Sequence, residues 1–290
     1  MKVKELTLIA SKIPQKLRKI PQPVTQLFIR MQEDQSVNEL FTRPCVAVVG
    51  SRKVSAYGKA VTAQLSAELA KRGIVIISGL ALGVDSISHK AALEAGGLTV
   101  AVLPGPLTNI YPGAHWRLAQ QIVARGGALV SEYQPGRQIY PGNFIERNRI
   151  VSGLCDALLV TEAAERSGTL HTARFALEQG REVLAVPGNI TSPTSAGTNN
   201  LIKTGATPVT CVEDILHVLG LETGSQAATA PRGATPHEQT LLTLVFEGVA
   251  DGAELLARSQ LDPSLFNQTL TMLEIRGQIR PLGNNHWALQ

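Results

Sequence analysis

Between Cys45 and Thr210 the sequence keeps repeating one unit. Short apolar, largely β-branched runs stand at 45–49, 74–78, 98–103, 127–131, 157–161, 182–186 and 207–210. Between them lie amphipathic stretches of crossover length, with helical patterns at 58–72, 85–95, 114–125, 144–153 and 169–180, the last closed by Gly180 as a C-cap. Runs without polar alternation are buried on both faces, and helix-length crossovers join parallel strands. The pattern predicts a doubly wound α/β domain with a mostly parallel sheet, and ligands of such sheets bind outside the carboxyl ends of the strands.

The flanks differ from this core. Residues 1–43 are basic and punctuated by Pro14, Pro21 and Pro23, with one expected strand at 26–30. They form a lead-in to a domain at 44–219. Residues 220–235 are rich in Gly, Ala, Thr and Pro and read as a linker. In 236–290, three helical patterns (237–247, 252–259, 263–276) precede two short strands around Gly283-Asn284-Asn285, which predicts a small C-terminal winged-helix domain.

Charge is distributed unevenly. Residues 236–290 hold three arginines, no lysine and six acids, a net of −3, while residues 1–219 hold 23 basic and 16 acidic residues, a net of +7. A polyanion is therefore expected on the large domain. The winged helix, with only Arg276 at the end of its third helix, reads better as a protein-contact module. Cys45, Cys155 and Cys211 are far apart and form no CxxC pair, which excludes a disulfide framework and a structural zinc site. The apolar run Leu6–Ala10 is shorter than a signal-peptide core, and no stretch reaches the length of a membrane span. The expectation is a soluble cytoplasmic chain with no membrane contact.

Four candidate anion sites follow strands. Gly50-Ser51-Arg52 joins a tight turn to an arginine that can grip a phosphate, or that simply extends into solvent. Ser78 to Asp85 carries two glycines whose loop amides can face an anion, with Asp85 expected to cap the next helix. Asn143, Phe144, Arg147, Asn148 and Arg149 offer a ring to stack a base, guanidinia to hold phosphates and amides to orient them; Phe144 in the core is the other reading. Ser167-Gly168-Thr169 opens a helix and makes an anion cradle, and Pro187-Gly188-Asn189 stands in an equivalent place after the next strand.

Catalytic motifs are absent: there is no HExxH, no Walker lysine motif, no GxSxG and no metal-spaced ligand set. His89 reads as a core histidine, and Glu162 and Glu165 as solvated carboxylates. No cofactor or metal is implied.

Taken together, VAVVGSRKVSAYG, ISGLALGVDSISHKAALEAGG, IYPG, ALVSEY, NFIERNRIVSGL, SGTLHTARFALEQGREVLAVPGN, GTNNLIKTGA and EDIL resemble the DprA/Smf family over about residues 44–216. Residues 12–43 resemble the family's lead-in, and the longer N-terminal helical domain of many members is expected to be missing. The resemblance implies an extended Rossmann-like domain that binds single-stranded DNA. It also implies a homodimer that protects incoming strands and loads the recombinase RecA during natural transformation, with no enzymatic activity. On it, Gly50, Ser51 and Arg52, then Asn143, Phe144, Arg147, Asn148 and Arg149, then Ser167, Gly168 and Thr169 form the DNA site. Three positions depart from the family: Ile145-Glu146 for proline and arginine, Leu82 for arginine, and Pro104-Gly105-Pro106 for a glycine-rich loop. Each swap that removes a cation predicts weaker or more salt-sensitive binding. The competing classes are a nucleotide-processing enzyme like the lysine decarboxylase-like phosphoribohydrolases, where Thr172 replaces the glutamate those enzymes use, and a small-nucleotide sensor.

Overall fold

The computed structural model describes residues 2–221, 233–283 and 285–289, so most of the expected linker lies outside the described residues. The chain divides into two compact units, Met1–Glu222 and Thr223–Gln290.

The first unit is built on nine strands: β1 (Val3–Ile9), β2 (Gln26–Gln32), β3 (Cys45–Gly50), β4 (Val75–Ser78), β5 (Thr99–Val102), β6 (Ala128–Ser131), β7 (Ala157–Glu162), β8 (Glu182–Ala185) and β9 (Thr207–Pro208). They form one sheet in the order β1-β2-β6-β5-β4-β3-β7-β8-β9. All pairings from β6 to β9 are parallel, whereas β2 runs antiparallel to β6 and β1 antiparallel to β2. Strand order therefore reverses at β3, and the gap between the carboxyl ends of β3 and β7 is the topological switch point where such sheets open a crevice.

Among the described residues, nine α-helices accompany these strands: α1 (Gln15–Arg18), α2 (Val37–Thr42), α3 (Ala56–Lys71), α4 (Val84–Glu94), α5 (Trp116–Ala124), α6 (Pro141–Leu154), α7 (Thr169–Glu178), α8 (Ala196–Lys203) and α9 (Val212–Val218). The apolar runs are buried on both faces because successive side chains serve different layers. Cys45, Ala47 and Val49 of β3 pack with Ile150, Leu154 and Ala173 under α6 and α7. Val46 and Val48 pack with Leu65, Leu69 and Ile215 under α3 and α9.

The expected strands fall within two residues of those observed. The lead-in differs: β1 is a second strand there, paired with β2 from Val3↔Gln32 to Ile9↔Gln26. Its signal is a period-two alternation in which Leu8 is buried and Leu6 packs on the core while Val3 and Ile9 are exposed. α6 starts three residues earlier than expected, because Pro141 occupies a first-turn position where its missing N–H costs nothing.

The second unit contains α10 (Pro236–Phe246), α11 (Gly252–Ser259), α12 (Pro263–Ile275), β10 (Ile279–Gly283) and β11 (His286–Leu289). The two strands pair antiparallel as a wing. Each helix opens on a side-chain cap, from Thr235, Asp251 and Asp262 respectively. Leu241, Leu255, Phe266, Leu270 and Ile279 form its own core. Arg276 is committed to the fold, donating to both carboxylate oxygens of Glu238 at 3.0 and 2.8 Å. Among the described residues, no helix is long and apolar enough to cross a membrane.

Candidate nucleic-acid interface

The turn after β3 is fastened on two sides. Ser51 N donates to Glu162 O at 2.8 Å, and Val84 N donates to Ser51 O at 3.1 Å. Gly50 and Gly83 permit this approach: a Cβ on Gly50 would collide with Val84 and Glu162, and one on Gly83, already at φ +79°, would collide with Ser51 O. The Ser51 hydroxyl then closes a local loop, donating to Lys53 O at 2.8 Å and accepting from Lys53 N at 3.1 Å. The effect is a rigid turn that projects Arg52 and Lys53 outward; both are exposed.

Arg52 meets an aromatic face. Its guanidinium carbon lies 5.4 Å from the Phe144 ring centroid. Phe144 in turn packs edge-on against Tyr111, with centroids 5.2 Å apart at an interplanar angle of 74°. Phe144 is half-buried, so it belongs wholly to neither the core nor the surface. Arg52 takes part in no salt bridge among the described residues.

Behind this stack opens a cleft of about 560 Å³, lined by Arg52, Lys53, Phe144, Arg147, Asn148 and the segment Ser167–Thr169, among others. Arg147 is 4% exposed. It donates to Gly79 O at 2.5 Å and to Val102 O, and its Nε donates to Asn148 Oδ1 at 3.2 Å. Burial brings its pKa down to about 10; nearby Asp85 opposes that shift and the Arg52 charge adds to it. Two guanidinia thus face one cleft, and the Arg52 charge disfavours that of Arg147, an arrangement that an anion between them relieves.

The loop after β4 differs from expectation. Asp85 does not cap α4; Gly83 takes the N-cap position. The carboxylate turns back and accepts from Gly79 N at 3.1 Å and Ala81 N at 3.3 Å. Two of the loop amides expected to face a ligand anion are therefore engaged by an internal one. Burial pushes the Asp85 pKa up, with Arg147 opposing.

On the other wall, Thr169 Oγ1 donates to Gly50 O at 2.9 Å, tying the start of α7 to the β3 turn. Ser167 Oγ accepts from Thr169 N at 3.2 Å. Thr172 also lines the cleft and is buried.

Not every expected residue reaches this place. Arg149 points to the opposite side of α6, where it pairs with Glu132 at 2.5 Å. Asn143 is buried beneath the helix start, its Oδ1 accepting from Tyr140 N at 3.3 Å. Glu162 is not solvated: it is 2% exposed and accepts from Ser55 N at 2.8 Å and from the Ser55 hydroxyl at 2.6 Å. His89 is a core residue, fully buried against Thr99. Lys53 and Tyr111 were not singled out from sequence, although both lie in motifs that were. Among the departures from the family pattern, Leu82 is 52% exposed beside the cleft mouth and Glu146 accepts from the Tyr133 hydroxyl at 2.9 Å.

A switch-point cleft that brings an exposed and a buried guanidinium to an aromatic edge belongs to a doubly wound α/β domain, and the chain carries a winged helix besides. The family model for DNA recombination-mediator protein A matches residues 4–220, and that for the DprA winged helix domain matches residues 225–285. The chain belongs to the DNA recombination-mediator protein A (DprA/Smf) family. It is 52% identical to Protein Smf of Escherichia coli (strain K12) over 174 residues, 60% of this chain and 46% of that one. It is 40% identical to the putative DNA processing protein DprA of Mycobacterium tuberculosis over 238 residues, 80% of this chain and 61% of that one. The chain thus spans about half to three fifths of the length of these curated relatives. Among solved structures it resembles DNA processing protein A from Streptococcus pneumoniae, with 38% identity, a TM-score of 0.67 and 74% of each chain covered. It also resembles DNA processing protein A from Helicobacter pylori, a structure described for its single-stranded DNA binding mode, with 31% identity, a TM-score of 0.65 and coverage of 74% and 95%.

Proposed function

We propose that this chain binds single-stranded DNA in the cleft between β3 and β7, and that it does so as a recombination mediator rather than as a catalyst. The observation that carries the reading is the Arg52–Phe144 pair at the cleft mouth with the buried Arg147 cation behind it. A ring that can stack a base, next to a guanidinium that has no salt-bridge partner among the described residues, suits a strand whose bases and phosphates are both accessible. In a duplex the base faces are already stacked and offer the ring nothing. Gly50, Ser51, Lys53, Asn148 and Ser167 to Thr169 complete the phosphate side of the cleft. Asn143 and Arg149 support it by holding the start and the far face of α6.

The family's biology extends this reading: protection of incoming strands, delivery of RecA, assembly as a homodimer and a cytoplasmic location. The domain division that goes with it is a lead-in at 1–43, a DNA-binding domain at 44–219, a linker at 220–235 and a winged helix at 236–290 for protein contact. Fluorescence anisotropy with a labelled oligo-dT, a duplex of the same length and AMP as competitor tests the core claim. Oligo-dT is expected to bind with strong salt dependence, and AMP to compete poorly. Tight AMP binding or AMP hydrolysis would favour a nucleotide sensor or a phosphoribohydrolase-like enzyme instead.

A further inference from the structure

The chain is poor in aromatic residues, with six Phe, four Tyr and two Trp in 290. Yet exposed rings gather at one end of the sheet. Tyr57 (49% exposed) follows β3, Tyr111 (47%) and Trp116 (57%) follow β5, and Tyr140 (56%) follows β6. All four lie on the side of the carboxyl ends of parallel strands, where the cleft opens.

Trp116 is the most exposed of the four, and it does not line the cleft. Tryptophan is ordinarily well buried, and its indole is costly to leave in water. Here it stands at the first position of α5, whose buried face is made by Leu118, Ala119, Ile122 and Val123 instead. Its place is held by the loop before it. His115 Nδ1 donates to Leu80 O at 2.8 Å, and Pro112, joined to it through the 3₁₀ turn Gly113–His115, lines the small recess shared by Arg52, Leu82, Tyr111 and Phe144. Exposed Leu82 and Tyr111 continue the apolar surface of that recess. Arg117, the next residue, is exposed and enters no salt bridge among the described residues. At the other end, Tyr57 is fixed over the loop after β8 by donation of its hydroxyl to Pro187 O at 2.8 Å.

We infer that the single strand runs across the carboxyl ends of the sheet, from Tyr57 past Arg52 and Phe144 to Trp116, and that the Trp116 indole stacks a base at the β5 end with Arg117 on the adjoining phosphate. This rests on the single-stranded DNA reading above and adds a path and a second stacking platform to it. From β5 to β8 is four interstrand spacings, about 19 Å. That span takes roughly three to six nucleotides, according to how far the strand is stretched beyond its stacked rise. A flat ring beside a cation selects a nucleic acid over an apolar protein surface, and a single strand over a duplex.

The test uses the full-length chain. Trp287 is the other tryptophan, so W287F leaves Trp116 as the only indole. Titration with a twelve-residue-class oligo-dT, on the order of twice the expected span, is expected to quench Trp116 emission with the same midpoint as the anisotropy signal. A hairpin duplex should leave it unchanged. Independently, W116A in the otherwise unaltered chain should weaken oligo-dT binding by roughly 5- to 140-fold, the range for loss of one base–aromatic stack, with an unchanged melting temperature. Binding by anisotropy with a silent Trp116 and an undiminished W116A overturns the path and leaves the cleft reading standing. No oligo-dT binding at all overturns both.

Discussion

Arg147 occupies the space that a side chain on Gly79 would need. A Cβ at residue 79 would collide with all three terminal atoms of the guanidinium, which at the same time donates to the Gly79 carbonyl at 2.5 Å. The glycine is therefore the seat of a buried cation. The β4 loop and α6 are joined through it, and the positive charge behind the cleft depends on a residue that contributes no side chain.

Gly79→Ala should act by expelling Arg147 from its carbonyl partners. R147M should remove the same contacts and leave Asp85 without its nearby cation, at a cost of about 3 kcal/mol. Because both changes break one set of bonds, their effects on the urea midpoint are expected to be clearly less than additive in the double variant. Full additivity would separate the two residues and count against the seat.

Much of this arrangement was legible in the sequence, for reasons that differ by element. A buried parallel strand is a compositional run, so β3 to β8 stand out as CVAVV or EVLAV does. β1 is an edge strand with only alternate residues inward, and a period of two over seven residues is a weaker mark than a continuous run. The GSR turn was legible because glycine, a small hydroxyl and arginine at a strand end have few other uses. Arg147 and Arg149 looked equivalent, but two positions apart on a helix is about 200°, so one enters the cleft and the other meets Glu132. The inward turn of Asp85 and the burial of Glu162 depend on which loops the sheet order brings together, and no local pattern records that.

Arg52→Ala should weaken oligo-dT binding by about 1.5–3 kcal/mol, as expected for a charge-assisted contact. Stability should hardly change, because Arg52 is exposed and enters no salt bridge among the described residues. The slope of log affinity against log salt should also fall by about 0.7, one phosphate contact on a single strand. Arg125→Ala, at the carboxyl end of α5, is the comparison that should leave affinity and slope nearly intact. Equal losses from the two variants would remove Arg52 from the site.

Glu162 links stability to the shape of the site. It holds Ser55 by both N–H and hydroxyl, and Ser55 Oγ in turn accepts from Gly58 N at 3.0 Å as the cap of α3. Glu162→Ala leaves a part-buried N–H without its acceptor, which costs about 1 kcal/mol, the low end for an unmet donor. It also loosens the turn that carries Arg52, so chemical denaturation and oligo-dT affinity should both decline. A loss of stability with unchanged affinity would show that the turn keeps its shape without this anchor.

His89 should make the large unit sensitive to acid. Thr99 Oγ1 donates to Ile76 O at 2.8 Å, so at the 2.6 Å contact with His89 it must accept, which places the imidazole proton on Nδ1. Nε2 is then a bare buried nitrogen with no hydrogen-bond partner among the described residues. A proton added there would have no acceptor. Burial brings the pKa from 6.5 down to about 3, helped by the neighbouring His115 and Arg147 charges. Because the folded pKa is depressed, the stabilisation is complete above pH 6.5 and is lost as pH falls from 6.5 towards 3, by up to about 1.4 kcal/mol per pH unit. Asp85, whose pKa is raised, contributes with the opposite sign, so the measurement is a difference. Urea midpoints of the natural chain and of His89→Gln, which keeps a neutral donor, should converge as pH falls from 8 to about 4.5. Parallel curves would mean that His89 is protonated at its ordinary pKa or not buried in the folded state.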